Sequence, residues 1–313
     1  MARFVTFTPN PALDLSTSVD QLVEAHKMRC DAPEVHPGGG GINVARVLHR
    51  LGGDVLAVFP AGGSTGERLH RLVQAEGVPD LKLDIAGDTR ESFTAHERQS
   101  GHEYRFVLPG PSLRPEEWQA ALSCLRQLSP APAWVISSGS LPPGVPDNGH
   151  AQIANVARTL GARMVVDSSG AALAQALDAG VWLIKPSLRE LSELTGAALD
   201  TPAAQRDAAR RLIAQGRTQK VALSLGSEGA MLVTASQCLQ ASALEVPVRS
   251  SVGAGDSFLA ALVWALDQQA DLAQALATGV AAGAAAVSTS GTALCQAADI
   301  TRLRQRVRIH EVQ

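Results

Sequence analysis

Asp256 follows Gly253, Ala254 and Gly255 and stands just before an apolar run that opens at Phe258. A carboxylate behind three small residues at a helix start suits chemistry on an anion. The first backbone N–H groups of a helix have no partner within it, and the helix dipole adds partial positive charge there. Residues without bulk then let an anionic group come close. Asp256 would sit beside that anion. Taken alone, these residues read as a capped turn before they read as a catalytic centre, because Asp is common at helix starts. Support for chemistry has to come from elsewhere in the chain.

Pro37-Gly38-Gly39-Gly40-Gly41-Ile42-Asn43-Val44-Ala45 runs straight into a helical stretch. Four glycines let a ligand touch backbone, and the Asn43 amide both donates and accepts hydrogen bonds, which suits a sugar. Asp14 lies where the opening strand, residues 3–8, empties into a loop. Lys27 and Arg29 would share one face if their segment is extended. Arg90 precedes, and Arg105 lies within, a hairpin expected over residues 92–108. Each cation alone is explained as a solvated edge-strand charge. Four of them on two separate sheet-like excursions argue for a common task.

The elements that must position these groups follow an α/β pattern. Strands are expected at residues 55–59, 134–137, 164–167, 182–185 and 221–225, with 230–233 as an antiparallel addition and a further extended run at 244–249. The first five each empty into a polar or glycine-rich loop: residues 61–66, 138–144, 167–170, 185–190 and 226–229. In an open parallel sheet ligands bind beyond the carboxyl ends of the strands, so these loops imply one site fed by many strands. The basic excursions, at about 15–36 and 88–109, would form a small lid over it. No repeat or linker divides residues 1–313.

A chain of 313 residues, 45% hydrophobic and 18% charged, builds a sizeable core. A net charge of −3 disfavours nucleic acid and anionic membrane surfaces as partners. Cys30, Cys124, Cys238 and Cys295 are widely spaced, and with no signal-peptide pattern a reducing cytoplasm fits best. The uncharged stretch 272–298 is rich in small and polar residues, and is expected as a buried helix and loop rather than a membrane span.

Several nucleotide and hydrolase motifs are weak or missing. Ala61-Gly62-Gly63-Ser64-Thr65-Gly66, with Asp84 beyond it, approaches a dinucleotide fingerprint but lacks its first glycine. The P-loop, the Gly-x-Ser-x-Gly elbow and the His-Glu-x-x-His zinc motif are absent.

The glycine run and Val252-Gly253-Ala254-Gly255-Asp256-Ser257, together with Asp14, residues 138–144, Val166-Asp167-Ser168-Ser169 and Ser224-Leu225-Gly226, resemble the ribokinase-like carbohydrate kinases, phosphofructokinase-B branch, essentially end to end. Lys27-Met28-Arg29-Cys30, the four glycines, Tyr104-Arg105-Phe106-Val107, Gly291-Thr292 and Leu294-Cys295 are most similar to the minor type of bacterial 6-phosphofructokinase. The resemblance implies a three-layer α/β/α core with a mostly parallel sheet and a β-lid that pairs with the lid of a second subunit. It also implies phosphoryl transfer from MgATP to fructose 6-phosphate, with 1-phosphofructokinase or tagatose-6-phosphate kinase activity as the alternative.

On matching positions, the resemblance makes Asp256 the catalytic base and gives the N–H groups of Gly253, Ala254 and Gly255 the transferring phosphoryl group. Asp14, Gly39, Gly40 and Asn43 would hold the sugar. Lys27, Arg29, Arg90 and Arg105 would hold its phosphate, with Ser138 nearby. Lys185, Ser187, Ser224, Gly226 and Gly229 would face the nucleotide, Val280 and Gly283 the adenine, and Glu190 a water-bound magnesium. Ser250, Val252, Ala286 and Gly291 would surround a monovalent cation such as potassium. Two positions depart from the family: Ser187 replaces an Asn, and Ala293 an Arg. They are the only hints of a second class, a catalytically idle phosphosugar sensor. The near-match at residues 61–66 is the sole basis for a third, a nicotinamide-dependent oxidoreductase.

Overall fold

The computed structural model describes residues 2–312. Among these, a ten-stranded sheet is built from β1 (Phe4–Phe7), β4 (Val55–Ala61), β5 (Asp80–Asp84), β8 (Trp134–Ser138), β9 (Arg163–Asp167), β10 (Val181–Ile184), β11 (Thr218–Ser224), β12 (Ala230–Val233), β13 (Cys238–Ala241) and β14 (Ile309–Glu311). Its spatial order is β14-β13-β12-β11-β10-β9-β8-β1-β4-β5. The strands from β11 to β5 are parallel, and β12 to β14 add antiparallel.

Strand alternation sends side chains into two separate cores, because successive residues of a strand face opposite ways. Phe4, Trp134, Ile136 and Ala222 pack with α1 (Gly40–Arg50), α2 (Gly63–Ala75), α8 (Ala254–Asp267), α9 (Leu272–Val287) and α10 (Ala297–Arg304). Val5, Val135, Val221 and Leu223 pack with α3 (Pro115–Arg126), α4 (Gly149–Thr159), α5 (Gly170–Asp178), α6 (Leu188–Thr195) and α7 (Pro202–Ala214). Each fully buried Phe, Leu or Ile contributes about 1.5–3 kcal/mol by leaving water. The result is the expected helix–sheet–helix sandwich.

From β1 the chain builds outward to β4 and β5, then crosses back to β8 on the other side. The crevice created by that reversal opens at the carboxyl end of β1 and its neighbours. A second sheet, of β2 (Ala12–Val19), β3 (Glu34–Gly38), β6 (Arg90–Glu97) and β7 (Glu103–Val107), lies in the order β3-β2-β6-β7. Its register sets Asp14 opposite Ser92, Ala12 opposite Arg90, and Thr94 opposite Arg105.

The hairpin at 92–108 and the helix within 272–298 form as expected. No helix among the described residues is long and apolar enough to cross a membrane. Elsewhere the structure corrects the sequence. Residues 20–33 are irregular, so Lys27 and Arg29 share no strand face. The run at 244–249 is not a strand, although its apolar and polar residues alternate. Pro247 supplies no backbone donor, which counts against a strand there. Residues 61–66 end β4 and open α2. The strands β2, β3, β5, β13 and β14 carry too little local pattern to be read without their partners.

Candidate active site

An open cleft of about 260 Å³ lies where the lid sheet faces the carboxyl ends of the core strands. Its walls bring together Asp14, Gly39, Gly40, Asn43, Arg90, Arg105, Ser138, Glu190, Val252, Gly253 and Asp256, which are separated by up to 242 positions in sequence (256 − 14). Topology alone assembles them.

Gly253 caps α8 in a left-handed conformation, φ 77°, and a Cβ there would lie 2.3 Å from Leu294 Cδ2. Glycine therefore meets both a conformational and a steric demand. Asp256 occupies the first turn of α8, and its Oδ2 accepts a hydrogen bond of 2.8 Å from Asn43 Nδ2. Burial pushes the Asp256 carboxyl up to about 6, helped by the neighbouring Asp167 charge and opposed by Asn43, Lys185 and Arg105. A carboxylate with that affinity for protons suits a general base near neutral pH.

Asp167 ends β9 on the cleft wall, and Lys185 follows β10 with its Nζ 3.2 Å from Asp167 Oδ1. Burial holds Asp167 above the usual carboxylate range against the Lys185 cation. Burial pulls Lys185 down, but Asp167 and Asp256 outweigh it and hold its ammonium above the ordinary value. Two buried carboxylates thus share one buried cation. Ser138 Oγ donates to Asp167 Oδ2 at 3.4 Å.

The glycine run works by close approach. A Cβ on Gly38 would lie 2.3 Å from the Asp14 carboxyl, and one on Gly40 would lie 2.2 Å from Ser138 Oγ. Asp14 is held above the usual carboxylate range by burial, against the pull of Arg105, Thr292, Arg90 and Arg46. Arg90 is fastened by Nη2 to Asn10 O at 2.9 Å and by Nη1 to Leu108 O at 3.1 Å, and burial lowers its proton affinity. Arg105 is exposed on β7 at the cleft mouth.

The other expected groups lie outside this cleft. Lys27 and Arg29 are exposed on the irregular 20–33 segment. Ser187 caps α6 in a reciprocal box with Glu190: Ser187 N donates to Glu190 Oε2 at 2.7 Å, and Glu190 N to Ser187 Oγ at 3.3 Å. Ser224 Oγ donates to Pro186 O at 3.3 Å, and Gly226 and Gly229, both at positive φ, bracket the turn after β11. Val280 is buried, and a Cβ on Gly283 would lie 3.4 Å from Ala254 O, so Gly283 lets α9 close on α8.

The backbone N–H groups of Arg249 and Ser250 donate to Val287 O, setting Ser250 and Val252 beside the end of α9. The Ala286 carbonyl accepts from Thr289 N and Oγ1 at 3.0 and 2.8 Å. Gly291 faces the lid, where a Cβ would lie 2.7 Å from Ser16 Oγ.

Asp167, Ser168, Ser169, Ser92, Gly139 and Ser140 line the cleft without having been given a role from sequence. For Asp167 the signal was present: it is a carboxylate at the carboxyl end of a parallel strand. Arg46, three residues after Asn43 on α1, was hidden because a charged residue on a helix is ordinarily solvated.

Residues 10–299 match the pfkB family carbohydrate kinases. The chain is 46% identical over 300 residues to the ATP-dependent 6-phosphofructokinase isozyme 2 of Mycobacterium tuberculosis H37Rv, covering 96% of this chain and 88% of that one. It is 34% identical to a 1-phosphofructokinase of Vibrio cholerae, covering 98% and 96%. Phosphofructokinase-2 from Escherichia coli superposes with a TM-score of 0.92 and 40% identity in its complex with potassium, covering 98% of this chain and 99% of that chain. In its complex with fructose-6-phosphate the TM-score is 0.91 and the identity 39%, with the same coverage. The protein belongs to the pfkB family of carbohydrate kinases.

Proposed function

We propose that the chain moves the γ-phosphoryl group of ATP to the 1-hydroxyl of fructose 6-phosphate, giving fructose 1,6-bisphosphate and ADP. The observation that carries this reading is the meeting, in one cleft, of a buried carboxylate in the first turn of α8, the small residues that open that helix, and two lid arginines. The names of the isozyme-2 relatives support the choice of acceptor. The whole chain acts as one catalytic unit, with the second sheet as its lid.

Asp14, Gly39, Gly40 and Asn43 hold the sugar hydroxyls, and Arg90, Arg105 and Ser138 its phosphate. The acceptor oxygen gives its proton to Asp256 as it bonds to phosphorus and the bond to the ADP oxygen breaks. The N–H groups of Gly253, Ala254 and Gly255 receive charge on the moving group. Lys185, Ser187, Ser224, Gly226 and Gly229 border the nucleotide, with its adenine toward Val280 and Gly283. Magnesium, when bound, neutralises phosphate charge, and Glu190 fits a water-mediated contact because its carboxylate faces the cleft while one oxygen is kept by Ser187 N–H. Potassium suits the carbonyl-rich junction of Ser250, Val252, Ala286 and Gly291.

ADP formation with fructose 6-phosphate, fructose 1-phosphate, tagatose 6-phosphate and unphosphorylated sugars tests the assignment. Highest kcat/KM with anything but fructose 6-phosphate overturns the substrate. ADP formation with none of them favours the idle sensor, against which the complete Gly253-Ala254-Gly255-Asp256 segment already argues. For the phosphate clamp, Arg105→Ala is expected to raise the KM for fructose 6-phosphate by about 10- to 100-fold, as for a lost hydrogen bond between ions, with kcat changing less. Arg90→Ala should do the same and also lower the Tm, because three backbone carbonyls, of Asn10, Pro11 and Leu108, lose their donor. Unchanged saturation curves would return both arginines to the solvated edge.

The lid also fits a homodimer. Phe93 and Phe106 pair across β6 and β7 with ring centroids 6.2 Å apart, and with Val107 and Leu108 they leave an apolar surface in water. A partner lid would cover it and carry Lys27 and Arg29 towards the sugar phosphate. Sedimentation of monomer alone at micromolar concentration would remove this assembly. The cysteines are free thiols, Cys30 exposed, which suits a reducing cytoplasm.

A further inference from the structure

Arg46 lies on α1 with its side chain only 1% exposed. Its Nη1 donates to Asn43 Oδ1 at 3.2 Å, to Pro37 O at 3.1 Å and to Thr292 O at 2.9 Å, while Nη2 meets Glu76 Oε1 at 2.6 Å. Glu76 is held in turn by Arg50, whose Nη1 reaches Ala293 O at 2.7 Å. A buried cation thus has its counter-charge, and its Nη1 is shared among acceptors on three segments, while Nε has no hydrogen-bond partner among the described residues.

A guanidinium only donates. The Asn43 atom facing Arg46 must therefore be the amide oxygen, which leaves the NH₂ to face Asp256 Oδ2, 2.8 Å away. The opposite rotamer would set NH₂ against the guanidinium and oxygen against the carboxylate, losing both hydrogen bonds and adding two repulsions. Glu76 cannot substitute for Arg46 in this, because an acceptor would favour the wrong rotamer.

We propose that Arg46 is a positioning residue for phosphoryl transfer: it locks the Asn43 amide with its NH₂ toward Asp256, and by also holding Pro37 and Thr292 it ties that orientation to lid strand β3 and to the loop after α9. This inference rests on the kinase reading and extends it to a residue outside the cleft. Besides Asn43, the charged groups facing Asp256 are Asp167, Lys185 and Arg105. None of these touches the Asn43 amide in the contacts described, so Arg46 acts on the base through Asn43.

The test is the pH dependence of kcat for the full-length protein, for Arg46→Lys and Arg46→Met, and for each of these combined with Asn43→Ala. Lysine keeps the charge beside Glu76, but one ammonium cannot also span Asn43, Pro37 and Thr292. In both single variants the acid limb should move up by about one pH unit, the loss of one hydrogen bond to an ionised carboxylate. Turnover well below the limb then falls about tenfold, and turnover above about pH 8 changes much less. In the Asn43→Ala background the Arg46 changes should move the limb no further.

An unmoved limb in Arg46→Lys, or a shift that adds in full to that of Asn43→Ala, overturns the proposal and leaves Arg46 a structural tie. Should Arg46→Met fail to fold, the lysine pair carries the same comparison. Absence of ADP formation by the unmodified protein would instead overturn the kinase reading.

Discussion

Asp256→Asn is expected to lower turnover by about 10²- to 10⁴-fold while fructose 6-phosphate and ATP still bind, the range for loss of a positioned general base. Phosphoryl transfer has a loose transition state, so positioning and charge neutralisation carry much of the rate and survive the change. Single-turnover and equilibrium-binding measurements on the folded variant separate the two contributions. Near-normal turnover would end the role of Asp256. For the unmodified protein the same group sets an acid limb: kcat should fall as pH drops through about 6, where the Asp256 carboxyl takes up its proton.

Stability should move the other way. Asp256 holds its proton more tightly in the folded chain, near 6, than at the ordinary value of 3.8. Between those limits folding takes up a proton, so stability falls as pH rises through the window and stays lower above it. The shift corresponds to at most about 3 kcal/mol. Asparagine removes this cost, so above pH 6 Asp256→Asn should unfold at a higher temperature than the unmodified protein, with the gap closing toward pH 4. A base kept at the expense of stability is a common exchange at active sites. An equal or lower Tm at pH 8 would contradict the burial argument.

Lys185→Met is the second large effect. Beyond the nucleotide-facing place that resemblance implies for it, Lys185 lies against Asp167 and beside Gly255, where a Cβ would lie 3.4 Å from its Nζ. Removing one partner of a buried pair leaves an uncompensated charge and typically costs about 3–5 kcal/mol. Here it leaves two carboxylates, Asp167 and Asp256, with no shared cation. Both should then bind protons more tightly, so the stability deficit is greatest above neutral pH and shrinks as acid protonates them. The acid limb of kcat should rise as well, with the KM for ATP changing less than kcat. Denaturant unfolding at about pH 5.5 and pH 8 measures the first effect. A loss that is the same at both pH values, or a change confined to the KM for ATP, would leave Lys185 a nucleotide contact alone.

Much of this protein was legible one residue at a time. Short apolar runs, most emptying into a polar or glycine-rich loop, announced β1, β4, β8, β9, β10 and β11, because strands covered by helices on both faces need no polar side. The glycine run and the segment from Gly253 to Asp256 stood out because close backbone approach demands a small residue at a definite position. The strands β2, β3, β13 and β14 did not stand out, since their stability comes from partners far along the chain and their own composition is ordinary.

The pairing of Asp167 with Lys185 was likewise decided only by tertiary structure, as was the orientation of Asn43 between Arg46 and Asp256. Both rest on distances between side chains that sequence spacing does not contain. Residue types and local order determined which groups were available for phosphoryl chemistry near the start of α8. The packing of α1, β9 and β10 around that helix decided which carboxylate is buried, which cation it shares, and which way the neighbouring amide points. Burial and donor geometry are properties of the assembled cleft.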